Sequence, residues 1–344
     1  MINIKRELKN IGIKPIEEIS VQEKTNIAER VANKLVSLNV PGISHSEILE
    51  KLFQAKMYRA SMTGDERKAK YYYKNRTIYF EKNLSLTMLN EEIMRECIHY
   101  LQDQRDQLKR MGLCTFIDNK TRGMALNEVG ISYISNKLLT SNIENKAFTL
   151  LKQTLLITGE EALFDSILNN SDKFKERFIK KTNSEVLYSK VQNTFDAMSD
   201  LEQIIKRLSI EGRKSSNPQR YLSKINMHKH TLNIKFSETQ WQIYNRYFSR
   251  KIELIDQVEE IASYREELFN FSQLLEIAQD EEKYTNFIAK KCEKLNKIEA
   301  QLLKVNANNS MILFEKGTIN RIIKSIKKII FKSKEYKKDQ IKTP

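Results

Sequence analysis

The chain has 344 residues, with 59 Lys and Arg against 44 Asp and Glu for a formal net charge of +15, and 40% of its residues are apolar. Nine glycines and four prolines are little punctuation for an all-β protein, and three cysteines without a C-x-x-C pair argue against a disulfide framework. No apolar run approaches the ~18 residues of a membrane span, and "MINIKRELKN" lacks the apolar core of a signal peptide. The expectation is a mainly α chain with a small β element, located in the cytoplasm, either free or peripheral to a membrane.

Residues 1–60 read as a segment of two or three short helices interrupted near Pro15 and Pro41, with "SHSEILEKLFQAKMY" carrying a helical stripe behind a Ser46 cap. "AKYYYKNRTIYF" then places β-branched and aromatic residues either side of Lys74-Asn75 and predicts a hairpin over about 71–80. A helix is expected over 86–108, capped by Thr87 or Asn90, and a second over 121–138 through "GMALNEVGISYISNKLL". Further helices follow in 142–212. "EGRKSSNPQR" reads as a linker, "MHKHTLNIKF" alternates like a strand, and 238–307 reads as two or three long helices.

The stretch "IMRECIHYLQD" carries the chemistry. Arg95 and His99 stand four apart and share a helix face, with Glu96 one step round and Glu92, Gln102 and Asp106 nearby. Leu89, Ile93, Cys97 and Leu101 form the opposite apolar stripe. The bland reading is an amphipathic helix whose polar face is simply wet. Downstream, Glu128 sits in "MALNEVGISYI", which is apolar nearly all round, so a poorly solvated carboxylate there calls for a cation or a proton. His99 with zinc, or Arg95, would serve.

Strand, helix with E-x-x-H and second helix with Asn-Glu together resemble the zincin metallopeptidases, in particular the gluzincin branch, over roughly residues 45–137. The resemblance implies Glu96 as general base, His99 and Glu128 as zinc ligands, and Thr77, Ile78, Tyr79 and Phe80 as an edge strand that binds substrate backbone. Arg95 stands where the first histidine of H-E-x-x-H belongs. Arg has no lone pair to donate, so the implied site keeps two protein ligands where catalytic zinc takes three. The expectation is a pseudo-enzyme with no zinc or weakly bound zinc. An active peptidase with a substituted ligand is the further alternative, and a peptide or protein would be its cleft ligand.

Other signals are slighter. His228 and His230 could share a face of a strand as metal ligands, and strand histidines more often have no such role. Residues 316–344 hold ten Lys and Arg against Glu335 and Asp339. There Ile319, Ile322, Ile323 and Ile326 line one side of an expected helix, with Lys324, Lys327 and Lys328 round the rest. That pattern suits an anionic membrane or a partner groove, while nucleic acid is disfavoured by scarce aromatics. It supports a helical interaction protein as the alternative function. The expected organisation is 1–60 helical, 61–141 zincin-like core, 142–212 helical, 213–315 mostly helical, and a basic amphipathic tail over 316–344.

Overall fold

The computed structural model describes residues 4–63, 68–103, 110–117, 120–141, 145–273 and 281–305. The chain is mostly helical with two small sheets, and no helix among the described residues is long and apolar enough to cross a membrane. Two compact units form, Met1–Leu151 with Thr158–Arg177, and Lys152–Ile157 with Phe178–Pro344.

The first unit begins with helix α1 (Ile4–Asn10), strand β1 (Ile13–Glu18), helices α2 (Val21–Val36) and α3 (His45–Gln54), and strand β2 (Lys56–Met62). The expectation of helices alone over 1–60 is therefore corrected. β1 and β2 pair antiparallel, and β2 lies parallel to β4 (Thr77–Glu81), which pairs antiparallel with β3 (Ala69–Tyr72). The segment 1–60 thus supplies half of the same four-stranded sheet, in the order β1-β2-β4-β3. Pro15 is tolerated because β1 is an edge strand, where a missing N–H breaks no ladder on its open side. The cap of α3 is Ser44, whose side chain accepts from the Glu47 N–H, two residues before the expected Ser46.

Helix α4 (Glu91–Gln102) starts at Asn90, whose side chain accepts from the Ile93 N–H. A second sheet of three short antiparallel strands follows, β5 (Arg110–Met111), β6 (Cys114–Ile117) and β7 (Lys120–Arg122), before helix α5 (Met124–Leu139). The remaining helices are α6 (Lys146–Thr158), α7 (Glu160–Leu168), α8 (Lys173–Thr182), α9 (Glu185–Arg213), α10 (Pro218–Ile252), α11 (Val258–Gln273) and α12 (Glu281–Val305).

"MHKHTLNIKF" is not a strand. It lies inside α10, which opens with Pro218 in its first turn and an Asn217 cap, and it buries Leu232 and Phe236 four residues apart. His228 and His230 therefore point about 200° apart round a helix and cannot share a metal. The expected linker shortens to the turn between α9 and α10. The tail carrying Ile319 to Lys328 lies outside the described residues, as does Asp106.

Candidate functional site

The site is built on α4, which packs on α5 and on strands β3 and β4. α4 is not wet on its polar face. Besides Ile93, Cys97 and Leu101, it buries Glu96, His99 and Gln102, and Gln102 is wholly inaccessible. The amphipathic pattern misleads because the polar residues have partners on neighbouring elements. Gln102 and Asn127 of α5 exchange amide hydrogen bonds of 3.3 Å in both directions, and Gln102 Nε2 also donates to the Ile167 carbonyl at 2.9 Å. Asn127 Oδ1 accepts in addition from the Leu113 N–H at 3.0 Å, which fastens the second sheet to the same clamp.

That clamp sets the neighbouring register. Asn127 precedes Glu128, and Gln102 lies one turn beyond His99, so the residues one turn up α4 meet Glu128. Arg95 Nη2 donates to Glu128 Oε2 at 2.9 Å. His99 Nε2 lies 3.2 Å from Oε1 and 3.3 Å from Oε2 of the same carboxylate. Glu128 keeps 36% of its side chain exposed, against 19% for Arg95 and 9% for His99, so the carboxylate faces solvent on one side and two cation-forming groups on the other.

The electrostatics follow from this geometry. Burial pushes the Glu128 carboxyl up, but the His99 ring and the Arg95 guanidinium more than offset it and hold the group at about 2. Burial lowers His99, yet Glu128 and Glu96 raise it above its ordinary value despite the opposing charge of Arg95. One cost remains inside the arrangement, because Arg95 Nε is buried without a hydrogen-bond partner.

Glu96 belongs to a different contact. Its Oε2 accepts from the Tyr71 N–H of β3 at 2.6 Å. Burial dominates its titration and raises it, with His99, the Tyr71 N–H and Arg95 pulling the other way. One turn earlier, Glu92 Oε2 accepts from the Lys68 N–H at 3.0 Å. Two carboxylates of α4 thus hold main-chain donors in and beside the strand at the edge of the sheet. Below them the Tyr71 hydroxyl donates to Asp103, whose carbonyl accepts from Arg76 at 3.0 Å.

The edge-strand expectation for Thr77, Ile78, Tyr79 and Phe80 is corrected here. Those residues form β4, which is flanked by β2 and β3 and buried throughout, so it has no free backbone for a ligand. The edge next to α4 is β3, Ala69 to Tyr72. Tyr71 and Asn127 are the site residues that sequence reasoning missed, and Gln102, which it read as wet, is buried against Asn127. Strong β-branched and aromatic content marks β4, not its shorter neighbour, as the obvious strand.

Zinc, which the resemblance implies, can be tested against these donors. Among the described residues no group of three His, Cys, Asp or Glu is arranged to hold a metal ion. His99 and Glu128 supply two donor side chains, and the guanidinium of Arg95 sits on the same carboxylate at hydrogen-bond distance. Glu96 is turned to the β3 backbone. The residues present do not fit a tight catalytic zinc centre. Comparison of the chain with protein-family models, with curated proteins and with solved structures finds no match.

Proposed function

We propose that the first unit is a zincin-like scaffold whose hydrolytic centre is replaced by the Arg95–Glu128–His99 cluster, making the protein a pseudo-enzyme that binds rather than cleaves. The observation that carries this reading is the double contact on Glu128, from Arg95 at 2.9 Å and His99 at 3.2 Å. A carboxylate in that position needs positive charge opposite it, and a fixed guanidinium supplies it at every accessible pH. The order of elements supports the same reading, with the edge strand β3 and the E-x-x-H helix followed by a helix that returns a glutamate to the histidine.

The test is metal content and metal uptake. Wild-type protein should purify with little zinc and show no chelator-sensitive peptidase activity. Arg95→His should supply a third donor and raise affinity for zinc, or for cobalt read by its visible absorption, by at least tenfold. Stoichiometric zinc in the wild type, or no gain in Arg95→His, would remove the zincin reading.

A further inference from the structure

In the second unit, α9 and α10 run antiparallel as a helical hairpin. Thr194 and Thr239 hydroxyls meet at 2.8 Å, and a side chain added at Gly212 would meet Tyr221 Cβ at 3.0 Å. Both contacts lie symmetrically about the turn at Ser216 and Asn217, so the register is unbroken along the pair. Val191, Thr194, Met198, Leu201, Ile205 and Leu208 follow one another at alternating spacings of three and four, the seam of a two-stranded coiled coil.

The base of this hairpin is covered. Phe248 of α10 packs on Tyr264 and Phe271 of α11, and Tyr244 packs on Phe287 of α12. The outer half is not. Among the described residues, 199–231 bury only Gly212. Within 204–230 the chain carries Lys206, Arg207, Arg213, Lys214, Arg220, Lys224 and Lys229 against Glu211 as the sole carboxylate, and all seven cations are exposed. The face of α9 turned away from the seam gathers Lys206, Arg207, Arg213 and Lys214 round Ile210, which is 45% exposed. Leu222 and Met227 on α10 are 50% and 57% exposed.

We propose that the outer half of this arm docks on an anionic lipid surface, with Lys206, Arg207 and Arg213 of α9 and Lys214 at its C-cap on headgroup phosphates and Ile210 in the headgroup–acyl boundary. Basic residues surrounding exposed aliphatic ones fit that boundary, where both kinds of side chain find their medium. A nucleic acid would use the cations alone. Tyr221, packed beside Gly212, is the one aromatic residue of 204–230, too few for the successive stacking platforms of a single-strand binder.

The test uses the full chain with vesicles of phosphatidylcholine alone and of equimolar phosphatidylcholine and phosphatidylserine, read by co-sedimentation. Wild type should bind the mixed vesicles and not the neutral ones, and binding should weaken as salt rises. Each basic residue near such a surface strengthens partition about fivefold, so the quadruple variant K206Q/R207Q/R213Q/K214Q should bind roughly several hundredfold more weakly with unchanged circular dichroism. Ile210→Ser keeps the charge and should still lower binding several-fold. Unchanged binding by the quadruple variant would overturn the proposal, and would assign any vesicle binding to another part of the chain such as the basic tail. So would an absence of wild-type binding, or binding to a DNA duplex but not to vesicles.

Discussion

Removing Arg95 is the sharpest perturbation of the cluster, because it leaves Glu128 in place with one partner. The free energy at stake is bounded from both sides. A fully exposed ion pair contributes about 0.2–1 kcal/mol, while orphaning one member of a buried pair costs about 3–5 kcal/mol. Arg95 is mostly buried and Glu128 is about one-third exposed, so solvent screens part of the interaction. His99 stays at 3.2 Å, and the unpartnered Arg95 Nε disappears with the side chain. Arg95→Ala should therefore destabilise the first unit by roughly 1–2 kcal/mol at neutral pH. The sole tryptophan, Trp241, lies in the second unit, so the loss is best followed through amide exchange of α4 and the His99 ring resonances. Those resonances carry a second readout. The charge of Arg95 opposes protonation of His99, so its removal should move the His99 titration to still higher pH. A stability change below about 0.5 kcal/mol, the scatter of ordinary surface substitutions, together with an unmoved His99 titration would refute the coupling.

The same cluster sets a pH window. Glu128 is depressed from 4.5 to about 2, so its contribution is present above pH 4.5 and is lost as pH falls towards 2. His99 is raised from 6.5, so its contribution is full below pH 6.5 and is lost as pH rises through its elevated value. The unfolding free energy from denaturant melts should peak between those limits and fall by roughly 1–2 kcal/mol on the acid side after allowance for screening, and Glu128→Gln should flatten the profile. Gly112 has φ +58°, and an added Cβ would collide with the buried amides of Asn127 and Gln102, so Gly112→Ala should cost about 2–4 kcal/mol in an equilibrium melt. Glu96→Gln keeps an acceptor for the Tyr71 N–H and removes a buried charge, so stability at neutral pH should hold or rise. A clear loss there would mean that the attraction of Glu96 to His99 and Arg95 outweighs the cost of burying its charge.

The parts of the fold that were legible in sequence are those whose signal is local. α5 reads from its apolar run and the β3–β4 hairpin from aromatics either side of a turn, while α4 starts at Glu91 behind Asn90, the later of two caps on offer and not at residue 86. What failed depends on distant partners. Gln102 looks solvent-facing until Asn127, 25 residues on, supplies the complementary amide, so the helix seemed half wet when it is nearly all buried. β1 buries only Ile13 of its six residues, and an edge strand with one buried side chain leaves no alternation to find. β5 to β7 are two to four residues long, too short for a period. "MHKHTLNIKF" alternates by accident, and the helical pair Leu232 and Phe236 decides its state, with Ile243 and Tyr247 continuing the same buried face.

Arg95 and Glu96 are adjacent residues with separate commitments, and that separation gives the last prediction. On a helix they point about 100° apart, so one reaches α5 and the other β3. Arg95→His alters only the first of these. His99 and Glu128 keep their backbone positions because the Gln102–Asn127 clamp and the Leu113 N–H hold the two helices together independently of Arg95. Metal affinity should therefore rise. Glu96, by contrast, stays bonded to a main-chain donor that no side-chain substitution removes, and Glu92 holds the chain at Lys68 in the same way. A buried carboxylate turned by that bond towards β3 is poorly placed to take a proton from a water beside Glu128, which is the role the resemblance gives it. Arg95→His should consequently take up zinc and remain without peptidase activity across a broad panel of peptides. Chelator-sensitive hydrolysis by that single variant would show that the Glu96–Tyr71 contact yields readily, and that a third ligand is all that separates this site from a working one.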